Sequence, residues 1–121
     1  MKKFSVYIFS CKEAKSDIVR IGNGMKNAAA YYTEKYSDGV FYLFVPKEYG
    51  DITTKLDDKE NVFWSTSSLL LLMPGKEIVN LKGYRNLAVS KEDRAIIIDY
   101  INKEVEPFNK ESVFVKDTFG K

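Results

Sequence analysis

Histidine is absent from all 121 residues, and cysteine occurs once, at Cys11. Without histidine the Ser-His-Asp and Cys-His nucleophile systems, as usually built, are closed to this chain, and so is the commonest general base. The same absence removes the usual ligand of zinc, iron and copper, which one cysteine does not replace, so no metal or cofactor is expected. A single cysteine also excludes an internal disulfide and fits a reducing compartment. The longest uninterrupted apolar run, Val40 to Val45, is far too short to span a bilayer. The stretch MKKFSVYIFS has the lysines of a signal peptide, but its apolar part is short and broken by serine. Cys11, Lys12 and Glu13 follow it in place of a small-residue cleavage site. The expectation is a cytoplasmic protein with no membrane contact. Charge of one sign does not accumulate either, because nineteen Lys and Arg are interleaved with seventeen Asp and Glu, leaving a net charge of +2.

What is present is the composition of an ordinary globular chain, 45% apolar and 30% charged. The length predicts one domain over residues 1–121, with 117–121 as a flexible tail. Lysine, isoleucine, asparagine and aromatics outweigh arginine and alanine, which suits a bacterial or phage genome of low GC content.

The clearest element is Ser90 to Glu106. Ser90 is an N-cap, Glu92 and Asp93 place negative charge at the positive end of the helix dipole, and Pro107 stops the helix. Ile97, Ile98, Ile101 and Val105 recur on one face, with Ile96 and Tyr100 beside them. Lys3 to Ser10 alternates apolar residues on both faces and reads as a central strand. Ile18 to Ile21 reads as a short strand, and Gly22-Asn23-Gly24 as a turn. Met25, Ala28, Ala29, Tyr32 and Tyr36 mark a helix over 25–37, stopped by Gly39. Val40 to Val45 is a strand ended by Pro46. Gly50 to Asn61 reads as an exposed loop. Val62 to Met73 is compatible with one strand, two strands, or a strand with a one-turn helix, and a strand is favoured because Pro74-Gly75 suits a type II turn into a returning strand, Glu77 to Leu81. Ser112 to Lys116 reads as a last strand. Strands cluster here more than they alternate with helices, so the expected class is α+β: a mostly antiparallel sheet of four to six strands with two helices packed on one face.

Candidate sites follow from residue type and position. Arg20, Gly22, Asn23, Gly24 and Lys26 form an anion-binding candidate, on the expectation that they open a helix whose N-terminus presents free N–H groups. Lys82, Tyr84 and Arg85, with Asn86, form a turn carrying the residue types of binding hot spots and of base stacking. Arg94 falls on the apolar arc of the long helix and needs an acid, a ligand or a route to solvent. Tyr31 lies off the stripe of the first helix and is a further stacking candidate. The acidic stretch Asp51 to Glu60 lacks the alternating ligands of a calcium loop.

These residues suggest three functions, ranked in order. The first is a non-enzymatic binding protein that acts as regulator or inhibitor of a partner protein, suited to a phage or mobile element. The second is a nucleic-acid-binding domain or a histidine-free, ribonuclease-like toxin using Lys82, Tyr84, Arg85 and Arg94. The third is a sensor or sponge for a phosphate-containing small ligand at Gly22–Gly24.

Overall fold

The computed structural model describes residues 2–105 and 118–119. The fold belongs to the α+β class. Five strands, β1 (Phe4–Ser10), β2 (Val40–Pro46), β3 (Ser68–Met73), β4 (Glu77–Gly83) and β5 (Thr118–Phe119), form one antiparallel sheet in the order β4-β3-β2-β1-β5. Three helices accompany it: α1 (Lys15–Met25), α2 (Ala29–Lys35) and α3 (Lys91–Glu104). No helix among the described residues is long and apolar enough to cross a membrane.

Strand β2 dictates the layering. All seven of its residues are buried, and because side chains alternate across a strand, both faces of the sheet need a cover. Phe41, Leu43 and Val45 join Tyr7, Phe9, Leu69 and Leu71 in one core, closed by Ile18, Ile21 and Met25 of α1 and Ala29 of α2. Val40, Tyr42 and Phe44 join Val6, Leu70 and Leu72 in the other, closed by Ile97, Ile101 and Val105 of the α3 segment. The expected arrangement of helices on a single face is therefore corrected. Helices α1 and α2 cover one face and α3 the other, because a sheet apolar on both sides cannot leave either to water.

The first core explains the largest departure from the sequence reading. Gly22-Asn23-Gly24 is not a turn but lies within α1, which also absorbs the expected strand Ile18 to Ile21. Gly24 is buried against the indole of Trp64, and a Cβ there would fall 2.6 Å from both Cδ2 and Cζ2 of that ring. Trp64 belongs to a 3-10 turn at Val62–Thr66 that precedes β3, so Val62 to Met73 is a short helix followed by a strand. Asn61 caps that turn by accepting from Phe63 N at 3.1 Å, and Trp64 Nε1 donates to the Asp58 carbonyl at 2.9 Å. The helix expected over 25–37 is broken at Lys26, whose φ of 56° ends α1 in the left-handed conformation, and α2 starts afresh at Ala29.

The chain from Gly50 to Asn61 is only partly exposed, since Ile52 and Leu56 are buried in the first core. The Tyr7 hydroxyl ties it down, donating to the Gly50 carbonyl and accepting from Ile52 N, each at 3.2 Å. Of the expected tail, Thr118–Phe119 form β5, opposite Tyr7 and Val6 of β1. The strand expected at 112–116 lies outside the described residues.

The Trp64–Gly24 contact generates a prediction. Gly24→Ala forces the indole out of its seat and is expected to destabilise the protein by about 1–3 kcal/mol, the usual cost of overpacking. Urea unfolding followed by tryptophan fluorescence measures it. A variant as stable as the parent would contradict the packing described.

Candidate functional site

Among the described residues, strand β4 lies at the end of the sheet and pairs only with β3. Its register shifts once: Leu71 faces Asn80 while Leu72 faces Ile78, so Val79 is the extra residue of a bulge. The bulge re-aims the strand. Ile78 and Leu81 pair with Leu72 and Leu70 on the α3 face, whereas Asn80 and Lys82 pair with Leu71 and Leu69 on the α1–α2 face. A bulge and a lysine on an edge strand both discourage indiscriminate strand pairing.

On that second face the seven-residue α2 leaves the edge partly uncovered, and a cleft opens between its start, β4 and the following turn. Phe41, Leu69, Leu71 and Ala29 contribute apolar walls. Asn27, Asn80, Lys82 and Asn86 contribute polar ones, and Tyr32 stands beside them. The cavity volume is about 50 Å³. Asn27 Oδ1 is already engaged, accepting from Ala29 N at 2.9 Å. Among the described residues no acid lines the cleft, and the Lys82 ammonium makes no ion pair.

The turn beyond β4 is conformationally costly. Arg85 (φ 55°) and Asn86 (φ 62°) are consecutive left-handed residues and neither is glycine. Asparagine tolerates this region, but arginine there costs on the order of 1 kcal/mol. The geometry is held by Gly83 N donating to the Leu87 carbonyl at 2.8 Å, by Leu87 N donating to the Tyr84 carbonyl at 3.2 Å, and by the Arg85 guanidinium 5.4 Å from the Tyr84 ring centre. The turn presents Arg85, Asn86 and Leu87 to solvent, and Leu87 is 65% exposed. A shallower groove of about 250 Å³ runs along its other side, between Tyr84, Ser65–Ser68 and Ser90.

The structure gathers some sequence candidates and scatters others. Lys82 and Asn86 line the cleft, and Tyr84 and Arg85 form the turn beside it. Tyr31 is exposed and meets the cleft only through its ring contact with Tyr32, at 5.7 Å between centres. Arg94 is exposed in the first turns of α3, the route to solvent that its position requires, and it lines neither the cleft nor the groove. The anion-binding candidate loses its premise. Gly22 and Gly24 sit at the C-terminal end of α1, where the dipole is negative, Arg20 pairs with Asp17 and faces Asp57, and Lys26 pairs with Glu60 at 3.6 Å. Asn23 is simply exposed on that helix. Asn27 and Asn80 escaped sequence reasoning. Asn80 needed the bulge to fix its face, and Asn27 needed the break between α1 and α2, and neither leaves a local signature.

Cys11 is buried at the end of β1, and burial pushes its thiol up to about 11. Among the described residues no group of three His, Cys, Asp or Glu could hold a metal. Comparison with protein-family models, with curated proteins and with solved structures finds no match.

The thiol gives a direct check. A disulfide reagent at pH 8 is expected to leave Cys11 unmodified in the native protein and to titrate one thiol in denaturant, because the thiolate is the nucleophile and the fold suppresses it. The sign for stability follows from the same shift. Between the ordinary pKa of 9.0 and the folded value of about 11 the unfolded chain ionises first, so the Cys11 contribution is complete below pH 9 and declines as pH rises through this window. Rapid native labelling would contradict the burial.

Proposed function

We propose that this chain is a cytoplasmic, non-enzymatic binding protein that regulates or inhibits a partner protein by occupying its surface. The docking face is the outer edge of β4 with the Tyr84–Asn86 turn and the cleft at Lys82. One observation carries the reading: among the described residues, the outer edge of β4 is unpaired and stands beside a small cleft whose polar groups meet no acid. A strand edge offers main-chain hydrogen bonds to an extended segment, and a neighbouring pocket selects its side chains. Tyr84 and Arg85 are the residue types that dominate binding energy at such surfaces, and their turn is fixed before a partner arrives. Regulation by occupancy needs no nucleophile, which agrees with the buried, protonated Cys11.

Charge pairing favours this reading over nucleic acid. Lys2, Lys12, Lys15, Arg20, Lys26 and Lys103 are matched with acids and the net charge is only +2, whereas a phosphate-backbone reader needs a run of free cations along one face.

Capture from a lysate followed by comparison of variants tests the proposal. Tyr84→Ala with Arg85→Ala is expected to fold normally by circular dichroism and to lose about 2 kcal/mol or more of affinity for the captured protein, roughly 30-fold, as hot-spot truncation does. Equal affinity of parent and double variant would reject the docking face. Salt-sensitive binding of RNA would reject the choice of partner.

A further inference from the structure

We infer that the cleft at Lys82 is a socket for one carboxylate, carried by an acidic side chain of the partner. The inference rests on the docking reading above and adds the chemistry of what enters the cleft. Three observations lead to it.

The first is size. A cavity of about 50 Å³ admits roughly three to five water-sized groups, at ~10–15 Å³ each. A carboxylate has three heavy atoms and fits. A base, a sugar or a nucleotide does not.

The second is charge. Among the described residues, Lys82 is the cation that lines the cleft, and no acid lines it. Lys12, Lys26 and Lys103 meet Asp38, Glu60 or Asp99 within 3.6 Å, whereas Lys82, like Lys47 and Lys91, meets no acid among the described residues; what sets Lys82 apart is that it lines a cleft. One ammonium in a partly apolar setting suits a monoanion better than a doubly charged phosphate, which would keep one charge unmatched while leaving water.

The third is the balance of donors. Lysine supplies three N–H donors and no acceptor, and each asparagine amide supplies two. The carbonyl of Asn27 already accepts from Ala29 N, which takes up one of its two lone pairs. An ionised carboxylate is acceptor-only, with room for about four hydrogen bonds. Lys82 and the three asparagines together offer more N–H donors than carbonyl acceptors, and the excess lies at the Lys82 ammonium, so the wall complements an acceptor-only carboxylate more closely than an amide, which brings donors of its own. The apolar walls of Phe41, Leu69 and Leu71 strengthen such charge-assisted bonds by excluding water.

The strand beside the socket supplies the delivery. A segment laid along β4 presents alternate side chains to the α1–α2 face, the face that carries Asn80 and Lys82, so one acidic residue in an extended segment reaches the cleft.

The test is an NMR titration of the full chain with N-acetyl-glutamate N-methylamide and, separately, its neutral isostere N-acetyl-glutamine N-methylamide. The glutamate compound is expected to shift the side-chain amides of Asn80 and Asn86 and the backbone amide of Lys82 saturably, with at least tenfold preference over the glutamine compound. Lys82→Gln is expected to abolish that preference, Lys82→Arg to retain part of it, and Asn80→Asp to exclude the glutamate compound by repulsion. Equal binding of the two compounds, or shifts scattered over surface lysines, overturns the socket. Equal binding of both at the cleft leaves the docking face standing, whereas that face falls on the Tyr84 and Arg85 comparison, so the two failures are distinct.

Discussion

Burial of β2 on both sides is the constraint from which the architecture follows. Its neighbours β1 and β3 complete two apolar surfaces back to back, and water is excluded from each only by placing helices on both. Burying side chains of this kind stabilises by about 1.5–3 kcal/mol each, which sets the helix arrangement ahead of any local propensity. Strand β4 is the point at which the demand relaxes. Its pattern is mostly intermediate or exposed, its one buried residue is Leu81, and the bulge at Val79 lets it cover the ends of both cores without matching them. A polar-walled cleft at that edge is the remainder left when a seven-residue helix covers a wider face.

Helix α3 was legible because its signals are local. The Ser90 hydroxyl accepts from Asp93 N at 3.1 Å, and Ile97 and Ile101 are buried as their spacing requires. The β3–β4 hairpin was legible for the same reason: Lys76 N donates to the Met73 carbonyl at 3.1 Å across Pro74-Gly75, with Gly75 at the positive φ that such a turn demands. Helix α1 was illegible because its reason is distant in sequence. It has no side-chain N-cap, and it carries two glycines that argue against a helix. Gly24 is there to admit Trp64, forty residues on, and that contact outweighs the propensity.

The helix-to-face assignment was half legible. Apolar residues on both sides of β1 and β2 state that two covers are needed, but the covering stripe of α1 is split between Ile18 and Ile21, which read as strand, and Met25, which reads as the start of another helix. The candidate site was legible in the same measure. Lys82, Tyr84 and Arg85 are conspicuous as types in a turn, while Asn80 and Asn27 acquire meaning only through the bulge and the α1–α2 break. Of the three outcomes open to Arg94, the route to solvent is the one observed, because the residue lies near the start of the helix, before α3 packs at Ile97.

The central claim is that, among the described residues, the sheet is sealed on both faces through β2 and β3 and open along the outer edge of β4. Residue-resolved amide hydrogen exchange tests it most directly. The account predicts that amides of Val40–Val45 exchange only through global unfolding, while the outward-facing amides of 77–83 and those of the Tyr84–Asn86 turn exchange orders of magnitude faster. Protection of that edge equal to β2 would mean that the chain itself covers it, and the docking face would be lost.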